Sequence, residues 1–248
     1  ESMFPVSAYD GQSAQAASAA LEPRTGAVRA LVGRINSSEN AAFRTFNFAT
    51  QSQRSPGSAI KPLVAYAPAV AAGWSINKEL DNQTTNYNGY SLENYIGTTS
   101  EPVPMYQALA QSLNLPAVYA VNELGINRAF EYGKKFGLNM DSVDRVLGVA
   151  LGSGVSTNPL QMAQAYSAFA NGGVMQDAHL ISRIETANGK VLASHKGSSK
   201  RVIDQAVADK MTSMMLGTFT NGTGYSAEVY GYDIAGKTGT TETSFDGN

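Results

Sequence analysis

The chain predicts an α+β domain with a mostly antiparallel central sheet flanked by helices. Three observations carry the prediction. Strand-like segments fall at the two ends of the sequence, helical i, i+3, i+4 periodicity fills the middle, and hairpin turn clusters join the strand-like segments. The sheet is expected to be assembled from both ends of the chain.

The elements follow in order. QAASAALEPRTGAVRALVG, ending at Gly33, sets two short Ala/Val/Leu runs around the turn cluster Pro-Arg-Thr-Gly and predicts a β-hairpin. KPLVAYAPAVAAG, after Ser58, is apolar on nearly every face and predicts a buried helix kinked at Pro68. The Asn-, Thr- and Tyr-rich stretch from Asp81 to Pro104 predicts a long surface excursion. LPAVYAVNELG, NRAFEYGKKFG, NPLQMAQAYSAFANGG and DQAVADKMTSMMLGTF predict helices, the third with Asn158 as cap, Pro159 at its first position and Gly172 as stop. HLISRIETANGKVLAS predicts a second hairpin, with Asn188-Gly189 in a type I′ turn. YGYDIAGKTGTT predicts a last strand whose glycines allow close approach of a ligand.

Composition removes several classes of function. A net charge of −2, from 18 basic and 20 acidic residues without a long like-charged block, leaves no footprint for nucleic acid. There are no cysteines, and His179 and His195 offer no ligand cluster, so no metal and no cofactor are expected. No apolar run is long enough to span a bilayer. The chain opens ESMFPV without methionine and stops at SFDGN, as a fragment of a longer protein would, and a membrane anchor is expected outside this segment.

One constellation carries chemistry. In GSAIKP, Ser58 precedes Lys61 by one helical turn, and a serine nucleophile needs a base within hydrogen-bond reach. An apolar helix disfavours the ammonium form, and a second cation nearby disfavours it further, so Lys61 can become that base. A nucleophile at a helix start also faces free N–H groups suited to a developing oxyanion. The same spacing recurs at Ser75 and Lys78, but in the polar GWSINKELDN, where the lysine would stay solvated. Ser112-Leu113-Asn114 and Lys237-Thr238-Gly239-Thr240 follow, and Lys-Thr-Gly occurs once only.

GSAIKP, SLN and KTGTT in this order resemble the three motifs of the penicillin-binding proteins and serine β-lactamases. The flanking text RSPGSAIKPLVAY, LAQSLNLPAV, GVALGSGVSTNPLQMAQAYSAFANGG, FTNGTGYSA and ALEPRTGAVRALVGR is similar to the transpeptidase domain of class A high-molecular-mass penicillin-binding proteins, of a streptococcal type. The resemblance covers nearly all of residues 1–248 and implies one D,D-transpeptidase domain that lacks its C-terminal strands. It implies that Ser58 attacks the penultimate D-alanine carbonyl of a peptidoglycan stem peptide while neutral Lys61 takes the proton. By the same resemblance Ser112, held by Lys61 and Lys237, is expected to relay a proton to the leaving D-alanine, and Asn114 to orient the substrate amide and Lys61. The resemblance further implies that Lys237 stays charged, keeps Lys61 neutral, and with Thr238 and Thr240 binds the terminal carboxylate beside Gly239. The N–H groups of Ser58 and Thr240 form the oxyanion hole, and an amine from a neighbouring stem completes the cross-link.

The resemblance also implies acylation by β-lactam antibiotics, a glycosyltransferase domain elsewhere in the protein, and a place on the extracytoplasmic face of the cell membrane. No Glu-x-x-Leu-Asn pattern lies between Asn114 and Lys237, which argues against a class A β-lactamase. A D,D-carboxypeptidase and a β-lactam or muropeptide receptor remain as alternatives. Outside the motifs, GVALGSGVSTNPLQMA is expected to supply packing and tight turns under the site. Asn221-Gly222-Thr223-Gly224 is read as a turn, with a loop shaping the acceptor side as the other reading.

Overall fold

The computed structural model describes residues 14–35, 45–87, 89–94 and 101–241. The expected N-terminal hairpin is present as β1 (Ser18–Leu21) and β2 (Val28–Val32), with a bulge after Ala20. Gly26 closes its turn at φ +77°, where a Cβ would stand 2.2 Å from the carbonyl oxygen of Asp177. Glycine is therefore required both by the turn and by the neighbouring chain.

Asn47 caps the short α1 (Phe48–Gln51), its side chain accepting from the Ala49 N–H. The predicted buried helix is a single helical run in three geometries. A 3₁₀ turn, Gly57–Ile60, leads into a π turn, Pro62–Tyr66, and then into α2 (Ala67–Ala71). Pro68 has no N–H to donate, and the chain absorbs this by widening just before it, where Ala67 N–H bonds the Pro62 carbonyl.

The strands β3 (Glu79–Leu80) and β4 (Val103–Pro104) pair across the Asn-rich excursion and deliver the chain to α3 (Met105–Ala110), a helix the periodicity did not announce. Then come α4 (Asn114–Leu124), α5 (Ile126–Lys135), a 3₁₀ turn at Leu147–Leu151 and α6 (Pro159–Ala170). The Asn158 side chain caps α6 by accepting from Gln161 N–H, as its sequence predicts. The remaining elements are β5 (Val174–Gln176), β6 (Arg183–Glu185), β7 (Val191–Ser194), β8 (Ser199–Arg201) and α7 (Gln205–Thr220).

The second hairpin, β6–β7, turns differently from the expectation. Gly189 is at φ +82° but Asn188 is not at positive φ, and Gly189 N–H bonds the Thr186 carbonyl. The loop is a turn centred on Ala187 and Asn188 followed by a left-handed glycine, so the type I′ assignment is corrected. Every strand pair is antiparallel, in four two-stranded sheets among the described residues: β1–β2, β3–β4, β5–β8 and β6–β7. The Lys-Thr-Gly segment runs without a strand partner among those residues, so no single sheet built from both ends is formed there. One edge of the N-terminal hairpin is instead occupied by His179, which bridges Ala27.

The core sits between α2, α3, α4, α6 and α7. Leu63, Tyr66, Leu109, Phe136, Met140, Met211 and Met215 are wholly or almost wholly buried in it. At about 25 cal/mol per Å² of apolar surface removed from water, this core is the main support for the helix that carries Ser58 and Lys61. Among the described residues Lys61 is the one charged side chain that is buried.

Candidate active site

Ser58 is the second residue of the 3₁₀ turn, and Lys61 N–H closes the turn by bonding the Ser58 carbonyl. Pro56 precedes the turn, and Gly57 enters it at φ +53°, where a Cβ would meet the Thr240 carbonyl oxygen at 2.3 Å. From the other side Gly152, at φ +92°, comes so near that a Cβ would lie 2.9 Å from Gly57 N. Ser55 ties these backbones together: its hydroxyl donates to the Gly152 carbonyl (2.9 Å) and accepts from Gly57 N–H (3.1 Å). The GVALGSG stretch therefore packs as a tight turn against the turn that carries Ser58.

The Lys61 side chain is fully buried. Its ammonium donates to three acceptors at the junction of α3 and α4: the carbonyls of Ser112 (2.7 Å) and Leu113 (3.1 Å), and Asn114 Oδ1 (2.7 Å). Ser112 makes this possible. Among the described residues it is the one non-glycine at positive φ, +57°, a conformation costing about 1–3 kcal/mol that here turns its carbonyl toward Lys61. The contact expected through the Ser112 hydroxyl thus runs through its carbonyl. Burial pushes the Lys61 ammonium well below its ordinary pKa, and the charge of Lys237 pushes it further down.

Lys237 precedes the groove-lining Thr238 and lies near enough for its charge to act on Lys61. Partial burial lowers its pKa to about 8, and its ammonium donates to the carbonyl (3.0 Å) and hydroxyl (3.3 Å) of Thr238. It makes no bond to Ser112 among the described residues, so the proposed joint hold on Ser112 is absent in this arrangement. A Cβ on Gly239 would stand 2.5 Å from the Pro56 carbonyl oxygen, which explains why this residue is glycine. Ser58, Ser112, Asn114, Thr238 and Thr240 all face one groove of about 1620 Å³, with Lys61 beneath it.

Of two further contributors, the sequence reading favoured a plain turn at the first and missed the second. Thr223 Oγ1 lies 2.6 Å from Thr238 Oγ1, so the NGTG loop is more than a turn: it braces the Lys-Thr-Gly segment. A Cβ at Gly222 would meet the Ala110 carbonyl oxygen at 2.3 Å, which sets that loop against the end of α3. The second contributor is the Asp81–Pro104 excursion. Asn82 and Asn94 are buried there, and Asn94 bonds the N-terminus of α4. An amide-rich stretch shortly before Ser-x-Asn was the available signal. The other Ser-x-x-Lys is a turn in which Ser75 Oγ accepts from Asn77 N–H, and the Lys78 ammonium rests 4.9 Å from the Trp74 ring centre. Trp74, Tyr87 and Tyr90 pack against the core and do not line the groove, and Tyr95 lies outside the described residues.

Comparison with known proteins decides what family carries this arrangement. Residues 16–248 match the penicillin binding protein transpeptidase domain. The chain belongs to the penicillin-binding protein transpeptidase family. It is 66% identical over 245 residues to penicillin-binding protein 2a of Streptococcus pneumoniae, covering 98% of this chain and 33% of that protein. It is 35% identical to penicillin-binding protein 1A/1B of Bacillus subtilis, covering 92% of this chain and 25% of that one. The chain therefore spans a third or less of the length of these relatives. Among solved structures, penicillin-binding protein 1A of Haemophilus influenzae superposes with a TM-score of 0.80 at 26% identity, over 97% of this chain and 43% of its own. The penicillin G acyl-enzyme complex of penicillin-binding protein A from M. tuberculosis superposes at 0.78 and 25% identity, over 95% and 63%.

Proposed function

We propose that this penicillin-binding protein domain is a serine D,D-transpeptidase that cross-links peptidoglycan stem peptides through an acyl-enzyme on Ser58. The observation that carries the reading is the buried Lys61 ammonium, one turn from Ser58 and lowered in pKa by burial and by Lys237. A neutral amine keeps two N–H donors and a lone pair, so one of the three acceptors around Lys61 must be released. The Leu113 carbonyl, at 3.1 Å, is the longest contact and the one to yield.

Ser58 Oγ then attacks the carbonyl of the penultimate D-alanine, and its proton passes to Lys61. The N–H groups of Ser58 and Thr240 receive the oxyanion; donors of this kind are worth about 10²- to 10³-fold each. The C–N bond breaks, a proton reaches the leaving amine through the Ser112 hydroxyl at the groove wall, and D-alanine departs. Lys237, Thr238 and Thr240 hold the terminal carboxylate. The acceptor amine attacks the ester, restoring the Ser58 hydroxyl.

β-Lactams, which imitate the D-Ala-D-Ala end, leave a stable ester on Ser58. The likeness to the penicillin G acyl-enzyme complex supports this. The domain acts on the cell-wall side of the membrane in a longer protein that carries the anchor and a glycosyltransferase domain, with further strands pairing along Lys-Thr-Gly. Among the described residues no helix is long and apolar enough to cross a membrane.

Intact mass after incubation of the intact protein with benzylpenicillin, with peptide mapping, tests the mechanism. The expected adduct lies on Ser58 and is absent in Ser58→Ala. A folded wild type without adduct would refute the reading. Product analysis on stem peptides with and without an amine acceptor separates a cross-linking enzyme from a carboxypeptidase.

A further inference from the structure

We propose that Asn94 is a positioning residue for acylation, setting the N-terminus of α4 and so the face that Asn114 presents to Lys61. The proposal rests on the acyl-serine reading above. Helix α4 starts without a cap of its own, because Leu113 precedes it and provides no side-chain acceptor. Asn94 supplies the cap from twenty residues upstream: its Oδ1 accepts from the N–H groups of Asn114 (2.7 Å) and Leu115 (3.0 Å). Pro116 has no N–H, so the first two residues are where a cap can act.

Asn94 is itself fixed, being only 8% exposed and donating from Nδ2 to Asn82 Oδ1 at 2.7 Å. Its neighbour completes the hold. The Glu93 carbonyl accepts from Asn114 Nδ2 at 3.1 Å, which settles which end of that amide faces which way. With the NH₂ directed at Glu93, the oxygen of Asn114 faces Lys61 at 2.7 Å. A rotated amide would set a donor against a donor and remove one of the three acceptors around the lysine. Glu93 and Asn94 together thus fix Asn114 by its backbone and its side chain at once.

The chemistry also asks for asparagine. Aspartate would accept the same two N–H groups, but it has no N–H to donate to Asn82 Oδ1. It would also set a negative charge behind Asn114, favouring the ammonium form of Lys61. Lys237 is the charged side chain that acts on Lys61 among the described residues, and it acts in the opposite sense.

The test is the rate of Ser58 acylation by benzylpenicillin as a function of pH in the intact protein, for wild type, Asn94→Ala and Asn94→Asp, each with a melting curve. Asn94→Ala is expected to acylate about ten- to a hundredfold more slowly, as for a reacting group displaced by a fraction of an ångström to an ångström. Asn94→Asp is expected to lose some melting temperature with the Asn82 bond, while the rising limb of its pH profile moves to higher pH. An Asn94→Ala protein that acylates at the wild-type rate would overturn the proposal. If that variant does not fold, an Asn94→Asp protein with the wild-type rate and profile overturns it instead. Absence of the ester in folded wild type removes both the acyl-serine reading and this role. A normal wild type with unaffected variants removes this role alone.

Discussion

The two lysines of the groove are held in opposite ways. Lys61 is wholly buried and meets three acceptors contributed by one rigid helix junction. Lys237 lies on an extended segment that is tied down by a Gly236 N–H bond to the Met215 carbonyl (3.3 Å), by the Thr223–Thr238 hydroxyl pair and by steric fit against Pro56 and Gly57. On the proposed mechanism the first lysine is prepared for proton transfer before any substrate arrives. The second sits where a carboxylate can reach it, and a bound anion would restore the pKa that partial burial has lowered to about 8. Preorganisation is thus concentrated at the base, while the substrate-binding edge is left open.

The strongest way to break this contrast is Lys61→Ala. Loss of the general base predicts acylation slower by about 10²- to 10⁴-fold. The Ser112 and Leu113 carbonyls and Asn114 Oδ1 would also lose their donor, a cost of about 1–3 kcal/mol visible as a lower melting temperature. Stopped-flow acylation and calorimetry read the two effects separately. Wild-type acylation in this variant would remove Lys61 from the mechanism.

Lys237→Gln comes next. Losing its charge-assisted bonds to the carboxylate predicts a roughly tenfold to hundredfold slower acylation. The pH profile carries the sharper information. In wild type the proposed mechanism predicts a rate that rises with pH as Lys61 loses its proton and falls near pH 8 as Lys237 loses its own. Removing the like charge raises the Lys61 pKa, so the rising limb of Lys237→Gln moves to higher pH, and the fall near pH 8 disappears. A rising limb that stays in place would show that burial alone sets Lys61.

Thr223→Ala loosens only the open edge. It removes one hydroxyl pair from Thr238, which predicts a two- to tenfold slower acylation, with Thr223→Ser close to wild type. A melting temperature that falls as steeply as in Lys61→Ala would mean that the edge is part of the core after all.

What could be read in the sequence follows from how locally each feature is determined. Ser58 and Lys61 share one hydrogen-bonded turn, the Asn158 cap lies three residues from the N–H it accepts, and each hairpin carries its own turn residues. These survive without tertiary information. The bond from Asn94 to α4 depends on the path of a loop twenty residues away, and the left-handed Ser112 depends on a partner fifty-one residues distant. The unpaired Lys-Thr-Gly segment was legible only through the resemblance, which implies C-terminal strands absent from this segment; periodicity alone carries no such signal, since β-pairing is decided by whatever lies alongside. Asn188-Gly189 failed more narrowly: one extra loop residue changed the turn type without disturbing the hairpin.

The smallest expected effect is the most pointed control on the role of burial. Ser75 and Lys78 repeat the spacing of Ser58 and Lys61, yet the Lys78 ammonium lies over the Trp74 ring at 4.9 Å and the Ser75 hydroxyl is engaged with Asn77 N–H. Lys78→Ala is expected to leave the acylation rate within about twofold of wild type and to cost about 0.5–1 kcal/mol of stability through the lost cation–π contact. Three residues of separation bring a lysine to a serine in both places. Only the first pair sits in an apolar helix with a second cation near enough to act on its lysine, so an inert Lys78 ties basicity to that environment, and an active one would return it to spacing alone.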